Sequence, residues 1–184
     1  VSGLGCGEYY INGQKISEDM IDPPMTNYNR EVLYRVYDVS RFLPAGGGRC
    51  ALAALLGEGW YAQSRVWAVG GFRYGDPCLC AQLEIVYEDG QTQTVATGTE
   101  GWFSKCSPIV LNNLYGGETY DARLETPDFA EPDGEEDGWS PVEADPVPKG
   151  ALKLCLMPPV RVIRTLPAQS VRQVSGKEDL SLIH

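Results

Sequence analysis

The chain has 184 residues, 25 acidic against 15 basic side chains, and a net charge of −10. That is long enough for one large domain with a sizeable core, and the charge repels nucleic-acid phosphates and anionic membrane surfaces, so neither is an expected partner. No run approaches the roughly 18 apolar residues of a membrane-spanning helix.

In chain order, Val1-Ser2-Gly3-Leu4 lacks the basic region and long apolar run of a signal peptide. It reads as the middle of a strand, so the chain is expected to begin inside a longer protein. Tyr9 to Ile16 carries Asn12-Gly13, the dipeptide that supplies positive φ angles to a two-residue hairpin turn. Val32 to Tyr37 alternates with period two, and Asp38 or Ser40 is placed to cap a short helical turn through Arg41-Phe42-Leu43. Cys50 to Leu56 is a continuous apolar run between glycine-rich stretches and predicts a buried strand. Ala81–Tyr87 and Gln91–Val95, joined through Glu88-Asp89-Gly90, predict a second hairpin. Trp102-Phe103, Ile109 to Leu111, Leu152 to Leu156 and Val160 to Ile163 supply further strands. No apolar pattern of helical period is sustained over three turns, so the fold class is all-β, a sandwich or jelly roll with long surface loops.

Between Glu118 and Asp145 there are 11 acidic residues and one base, Arg123, while the rest of the chain carries 14 acids and 14 bases. The acidity is thus local, and Thr126 to Lys149 reads as a proline-rich surface excursion. Beyond Leu166 the pattern fades, so 1–165 is expected to be the sandwich and 166–184 a linker towards a following domain. The cysteines Cys6, Cys50, Cys78, Cys80, Cys106 and Cys155 read as buried free thiols. They favour the cytoplasm, with a secreted or periplasmic location left open.

The one histidine is His184, so the body of the chain offers no Ser-His-Asp or Cys-His mechanism and no histidine metal site. Ala45 to Cys50 lacks the lysine and hydroxyl of a phosphate loop. Asp133, Glu135, Asp137 and Gly138 open like an EF-hand, but the twelfth position is Ala144 and Pro141 breaks the pattern. Glu118, Asp121, Glu125 and Asp128 are carboxylates in quick succession, yet a hydrolytic pair needs one member kept protonated by burial, and a dense polar loop solvates them. A sugar platform, by contrast, needs an aromatic face ringed by planar polar groups. Trp60-Tyr61 supplies one such place, and Asn112, Asn113, Tyr115, Glu118, Tyr120, Asp121 and Arg123 another. Core packing of the aromatics and ion pairing of Arg123 are the structural alternative. Asn113, Glu118 and Asp121 are candidate calcium ligands on their chemistry, and no other cofactor is expected.

The segments Gly3-Leu4-Gly5, Glu8 to Gly13, Thr26-Asn27-Tyr28, Leu33 to Val39, Leu56 to Tyr61, Ala81 to Tyr87, Gly117 to Leu124, Asp137-Gly138-Trp139 and Met157 to Arg161 together resemble the N-terminal domain of bacterial α-L-rhamnosidases of glycoside hydrolase family 78. The resemblance implies a galactose-binding-like jelly-roll sandwich. It also implies a parent enzyme that removes terminal α-L-rhamnose by an inverting mechanism, with its catalytic carboxylates in a separate helical toroid. The expected role is therefore a non-catalytic accessory domain. Its implied partners are a rhamnose-containing glycan, with calcium in some related domains, and the catalytic and other domains of the same chain. A scaffold that contacts no sugar is the alternative, and a free-standing hydrolase ranks last.

Overall fold

The computed structural model describes residues 1–63, 73–134, 137–144, 148–173 and 180–183, so His184 and Glu135 lie outside the described residues. Fifteen short strands are described: β1 Ser2–Leu4, β2 Cys6–Ile11, β3 Gln14–Lys15, β4 Glu31–Tyr34, β5 Leu52–Gly57, β6 Cys78–Cys80, β7 Gln82–Val86, β8 Thr92–Ala96, β9 Phe103–Ser104, β10 Ile109–Asn113, β11 Gly117–Tyr120, β12 Ser140–Pro141, β13 Ala151–Leu154, β14 Ser170–Gln173 and β15 Leu180–Ile183. Two 3₁₀ turns, Ser40–Phe42 and Ala122–Leu124, are the helical elements among the described residues. The all-β class is as the strand pattern required. No helix among the described residues is long and apolar enough to cross a membrane.

Local chemistry explains the hairpins. Asn12 and Gly13 sit at φ 48° and 75°, turning β2 into β3. The Asn12 side chain also accepts from Ala51 N and donates to Phe42 O, both at 3.0 Å, so the turn residue ties two later loops to it. The β7–β8 hairpin closes with Gly90 at φ 82° and Asp89 accepting from Gln91 N at 2.9 Å. β2 alternates between half-buried and buried positions and is flanked by β3 and β5 in an antiparallel three-stranded sheet. β4 and β13 pair in parallel, joining an early and a late part of the chain. Leu4, Tyr28, Val32 and Tyr61 form the core cluster, with Trp60 and Cys78 packed against it.

Several expectations are corrected. β5 is half-buried along its length, because it walls a broad groove of about 2320 Å³ shared with β6, β9 and the stretch from Glu125 to Glu131. Val160 to Ile163 is not a strand: one bridge, Met20 to Val160, is made, and Pro158 and Pro159 bring no N–H to a ladder. β4 ends at Tyr34, beyond which Arg35 and Tyr37 turn their side chains onto Asp22 and Asp19. Within 166–184, β14 pairs antiparallel with β15. All six cysteines are free, but Cys155 alone is buried, while Cys80 and Cys106 are exposed.

Two buried carboxylates organise the flank of the sandwich. Asp22 accepts from Arg35 Nε and Nη2 at 2.9 and 2.7 Å, and Arg35 Nη1 donates to Met157 O at 2.9 Å. Asp19 accepts from Arg161 Nε at 2.8 Å and from the Tyr37 hydroxyl at 3.1 Å. Burial would push the Asp19 carboxyl up, but hydrogen bonds with Arg161, Ser17 and Tyr37 outweigh it and hold the group below its ordinary value.

Tyr28 packs edge-on against Tyr61 and Tyr74, each with ring centroids 5.0 Å away, and its buried hydroxyl has no hydrogen-bond partner. Tyr28→Phe keeps the rings and removes that orphan group, so it is expected to gain about 1 kcal/mol. The check is thermal unfolding, where the midpoint should rise by roughly 2–4 °C.

Candidate functional site

The hairpin of β10 and β11 builds the candidate rim. Asn112 faces Glu118 across the pair and Asn113 faces Gly117, leaving Leu114-Tyr115-Gly116 as the turn. Asn113 is buried, and its Oδ1 accepts from the main-chain N–H groups of Tyr115 and Gly116 at 3.0 and 2.7 Å, an Asx arrangement that shapes the turn. Its amide donates to Glu58 at 3.3 Å, fastening the hairpin to the corner that follows β5. That corner carries Trp60, whose ring meets Tyr115 edge-on at 6.5 Å. Tyr115 remains 57% exposed. Asn112 Nδ2 donates to Glu118 Oε2 at 3.4 Å on the outer side.

The structure therefore sets Trp60 against Tyr115 and pairs Asn112 with Glu118 on the same hairpin, with Asn113 buried at its turn, and separates the other candidates from them. Tyr61, at 3% exposure, is a core side chain stacked on Tyr74 at 5.8 Å, because the residue after Trp60 points into the sandwich. Tyr120 lies at the far end of β11 on the groove wall, and its hydroxyl donates to Glu125 at 2.7 Å. That hydrogen bond to a carboxylate raises the Tyr120 pKa. Asp121 caps the following 3₁₀ turn, accepting from Arg123 N at 3.1 Å and from Arg123 Nε at 2.8 Å. The Arg123 hydrogen bonds hold the Asp121 carboxyl low.

Of the three candidate calcium ligands, Asn113 spends its oxygen on the turn and Asp121 spends its carboxylate on Arg123. Glu118 has a neutral amide as its partner. Among the described residues no three His, Cys, Asp or Glu side chains form a metal-holding group. Glu58 and the carboxylates Asp19 and Asp22 were not singled out from sequence, and only their positions within resembling segments or near Pro23 and Pro24 could have drawn attention to them.

The family model for the α-L-rhamnosidase N-terminal domain matches residues 1–164. The chain belongs to this family. An α-L-rhamnosidase from Streptomyces avermitilis is 36% identical over 174 residues, which is 94% of this chain and 16% of that protein. Among solved structures, the S. avermitilis α-L-rhamnosidase complexed with L-rhamnose matches with a TM-score of 0.84 at 37% identity, over 94% of this chain and 16% of that one. The native Aspergillus terreus α-L-rhamnosidase matches with a TM-score of 0.85 at 28% identity, over 98% and 21%. This rhamnosidase N-terminal domain thus spans about a sixth of the curated relative it matches. Both the Gly59-Trp60-Tyr61 corner and the Gly117 to Leu124 segment fall inside the matched span.

Proposed function

We propose that the domain is a non-catalytic accessory module of an enzyme hydrolysing terminal α-L-rhamnose from glycosides, and that it contacts rhamnosyl glycan at the Tyr115 rim. The observation that carries this reading is the solvent-facing Tyr115 ring, braced by Trp60 at the turn of the hairpin whose strands carry the Asn112–Glu118 pair. An aromatic face held from behind offers a sugar's C–H surface a partner without losing side-chain freedom on binding, and the amide and carboxylate suit its hydroxyls. Any calcium contribution rests on Glu118, whose partner in the structure is an amide and not a cation.

Calorimetric titration with L-rhamnose, in calcium and again in EDTA, tests the proposal. Saturable heat is expected with a dissociation constant in the millimolar to micromolar range, roughly −4 to −8 kcal/mol. Tyr115→Ala should abolish it while leaving the unfolding midpoint within about 2 °C, since the ring is largely exposed. Heat that survives EDTA removes calcium from the site, and no heat at millimolar sugar leaves a purely structural role for the domain.

A further inference from the structure

Three stretches far apart in the chain meet at a pocket of about 290 Å³: the end of β3 with the loop after it, the stretch beyond β4 that runs into the Ser40–Phe42 turn, and the late segment after β13. They bring Lys15, Arg41 and Arg161 to its lining, with the hydroxyl residues Ser17 and Tyr37, and with Glu18 as the one acid among the described lining residues. Three bases to one acid reverses the balance of a chain that carries 25 acidic and 15 basic residues.

The cations are held in place by the fold itself. Lys15 donates to Glu8 at 2.6 Å, and Glu8 also accepts from the Tyr10 hydroxyl at 2.8 Å. Arg161 spends Nε and Nη2 on Asp19, both at 2.8 Å, which leaves Nη1 without a protein partner among the described residues. Neither Glu8 nor Asp19 belongs to the lining, and the Asp19 side chain, 5% exposed, lies behind an Arg161 side chain that is 58% exposed. Arg41 keeps all its donors: its guanidinium rests 4.6 Å over the Phe42 ring and makes no hydrogen bond or ion pair with another described residue. Asp38, close to it in the chain, is turned onto Ser40.

We propose that this pocket binds the carboxylate of a small sugar acid, with Arg41 as the principal clamp and Lys15 and Arg161 as flanking donors. A guanidinium fork matches a planar carboxylate through two parallel hydrogen bonds. Lys15 and Arg161 are already fixed by their partners, so less side-chain freedom is lost when a ligand arrives. The volume is at the small end of the range for ligand pockets, about 300 Å³ upwards, and suits a single ring. Glu18 selects within the oxyanions: its charge opposes the second negative charge of a phosphate, while its oxygens can accept from a ring hydroxyl. Membership of the α-L-rhamnosidase family makes a sugar the natural bearer of the carboxylate. The pocket shares no residue with the Tyr115 rim, so the two sites are independent.

Calorimetric titration of the full 184-residue chain with D-glucuronate tests the site, with D-glucose and inorganic phosphate as comparison ligands. Saturable heat in the millimolar range is expected for glucuronate, weakening as sodium chloride is raised, and much weaker binding is expected for the other two. Arg41→Gln should weaken glucuronate about tenfold or more and Arg41→Lys should retain part of the affinity. Arg41 is exposed, so both variants should keep the wild-type unfolding midpoint. Absence of glucuronate heat at tens of millimolar would overturn the proposal, and so would equal binding of glucose, which carries no charge. Phosphate binding as tightly as glucuronate would overturn the sugar acid in favour of a bare oxyanion site. Heat that survives both Arg41→Gln and Lys15→Gln would place the ligand elsewhere. Tyr115→Ala is expected to leave the glucuronate titration unchanged, which separates this result from that of the rhamnose titration.

Discussion

In urea denaturation, Gly5→Ala is expected to lose about 3 kcal/mol or more, enough to leave the domain marginally folded. Gly5 has φ 105°, and a Cβ there would stand 2.0 Å from the carbonyl oxygen of Gly57. Gly59, at φ 47°, faces back across the same crossing, where a Cβ would lie 2.2 Å from the carbonyl of Gly5. Two chain segments therefore meet main chain on main chain, and neither can retreat, because Cys6 and Gly57 are already paired between β2 and β5. A side chain at Gly5 adds the strain of a left-handed backbone to a clash that no rotamer relieves. Gly47→Ala separates the two effects. Its φ is 86° but nothing lies within 4 Å of the new Cβ, so it should cost only the conformational part, about 1–2 kcal/mol. Equal losses for the two variants would show that the close crossing is absent.

Asp22→Ala is the second large loss, expected at about 3–5 kcal/mol in thermal or chemical unfolding. The carboxylate is buried and grips the Arg35 guanidinium through two nitrogens, and this pairing holds the Arg35 pKa above its ordinary value. Removing it strands a charge with little access to water and frees the side chain that also holds Met157 O. The double replacement Asp22→Leu, Arg35→Met should recover much of the loss, since an apolar pair of similar volume needs no desolvation of charge. Asp133→Ala provides the contrast, because its partner Arg49 meets it at 3.3 Å in open solvent and such pairs contribute below about 1 kcal/mol. A loss at Asp22 no greater than at Asp133 would remove the buried pair from any account of this domain's stability.

The elements that could be read from sequence are those whose cause is local. Asn12-Gly13 dictates its turn, Asp89-Gly90 dictates another, and the alternation of β2 and β7 marks their faces. The candidate rim was legible in part. Tyr115 and Trp60 do meet, but Tyr61 next to Trp60 belongs to the core, and which of two adjacent aromatic residues faces inward depends on the path after the Gly59 crossing. Tyr120 shares the polar-aromatic segment Asn112 to Arg123 with Tyr115, yet a hairpin strand carries it to the groove. The pairing of Asp19 with Arg161 joins residues 142 apart and leaves no local trace in the sequence. Val160 to Ile163 has the composition of a strand but makes one bridge, Met20 to Val160, and its aliphatic side chains are exposed, so composition there does not decide pairing.

The parallel pairing of β4 with β13 has a consequence for how the chain is made. The Lys153–Glu31 contact between these strands spans 122 residues. On a ribosome adding about 5–20 residues per second, the first strand therefore waits roughly 6 to 24 s for its partner. Through that interval Glu31 to Tyr34 is an unpaired edge bearing Val32 and Leu33, residues buried in the finished domain. The nascent domain is thus most vulnerable to intermolecular strand pairing before residue 151 emerges, and a chaperone that covers extended apolar segments would act in that window.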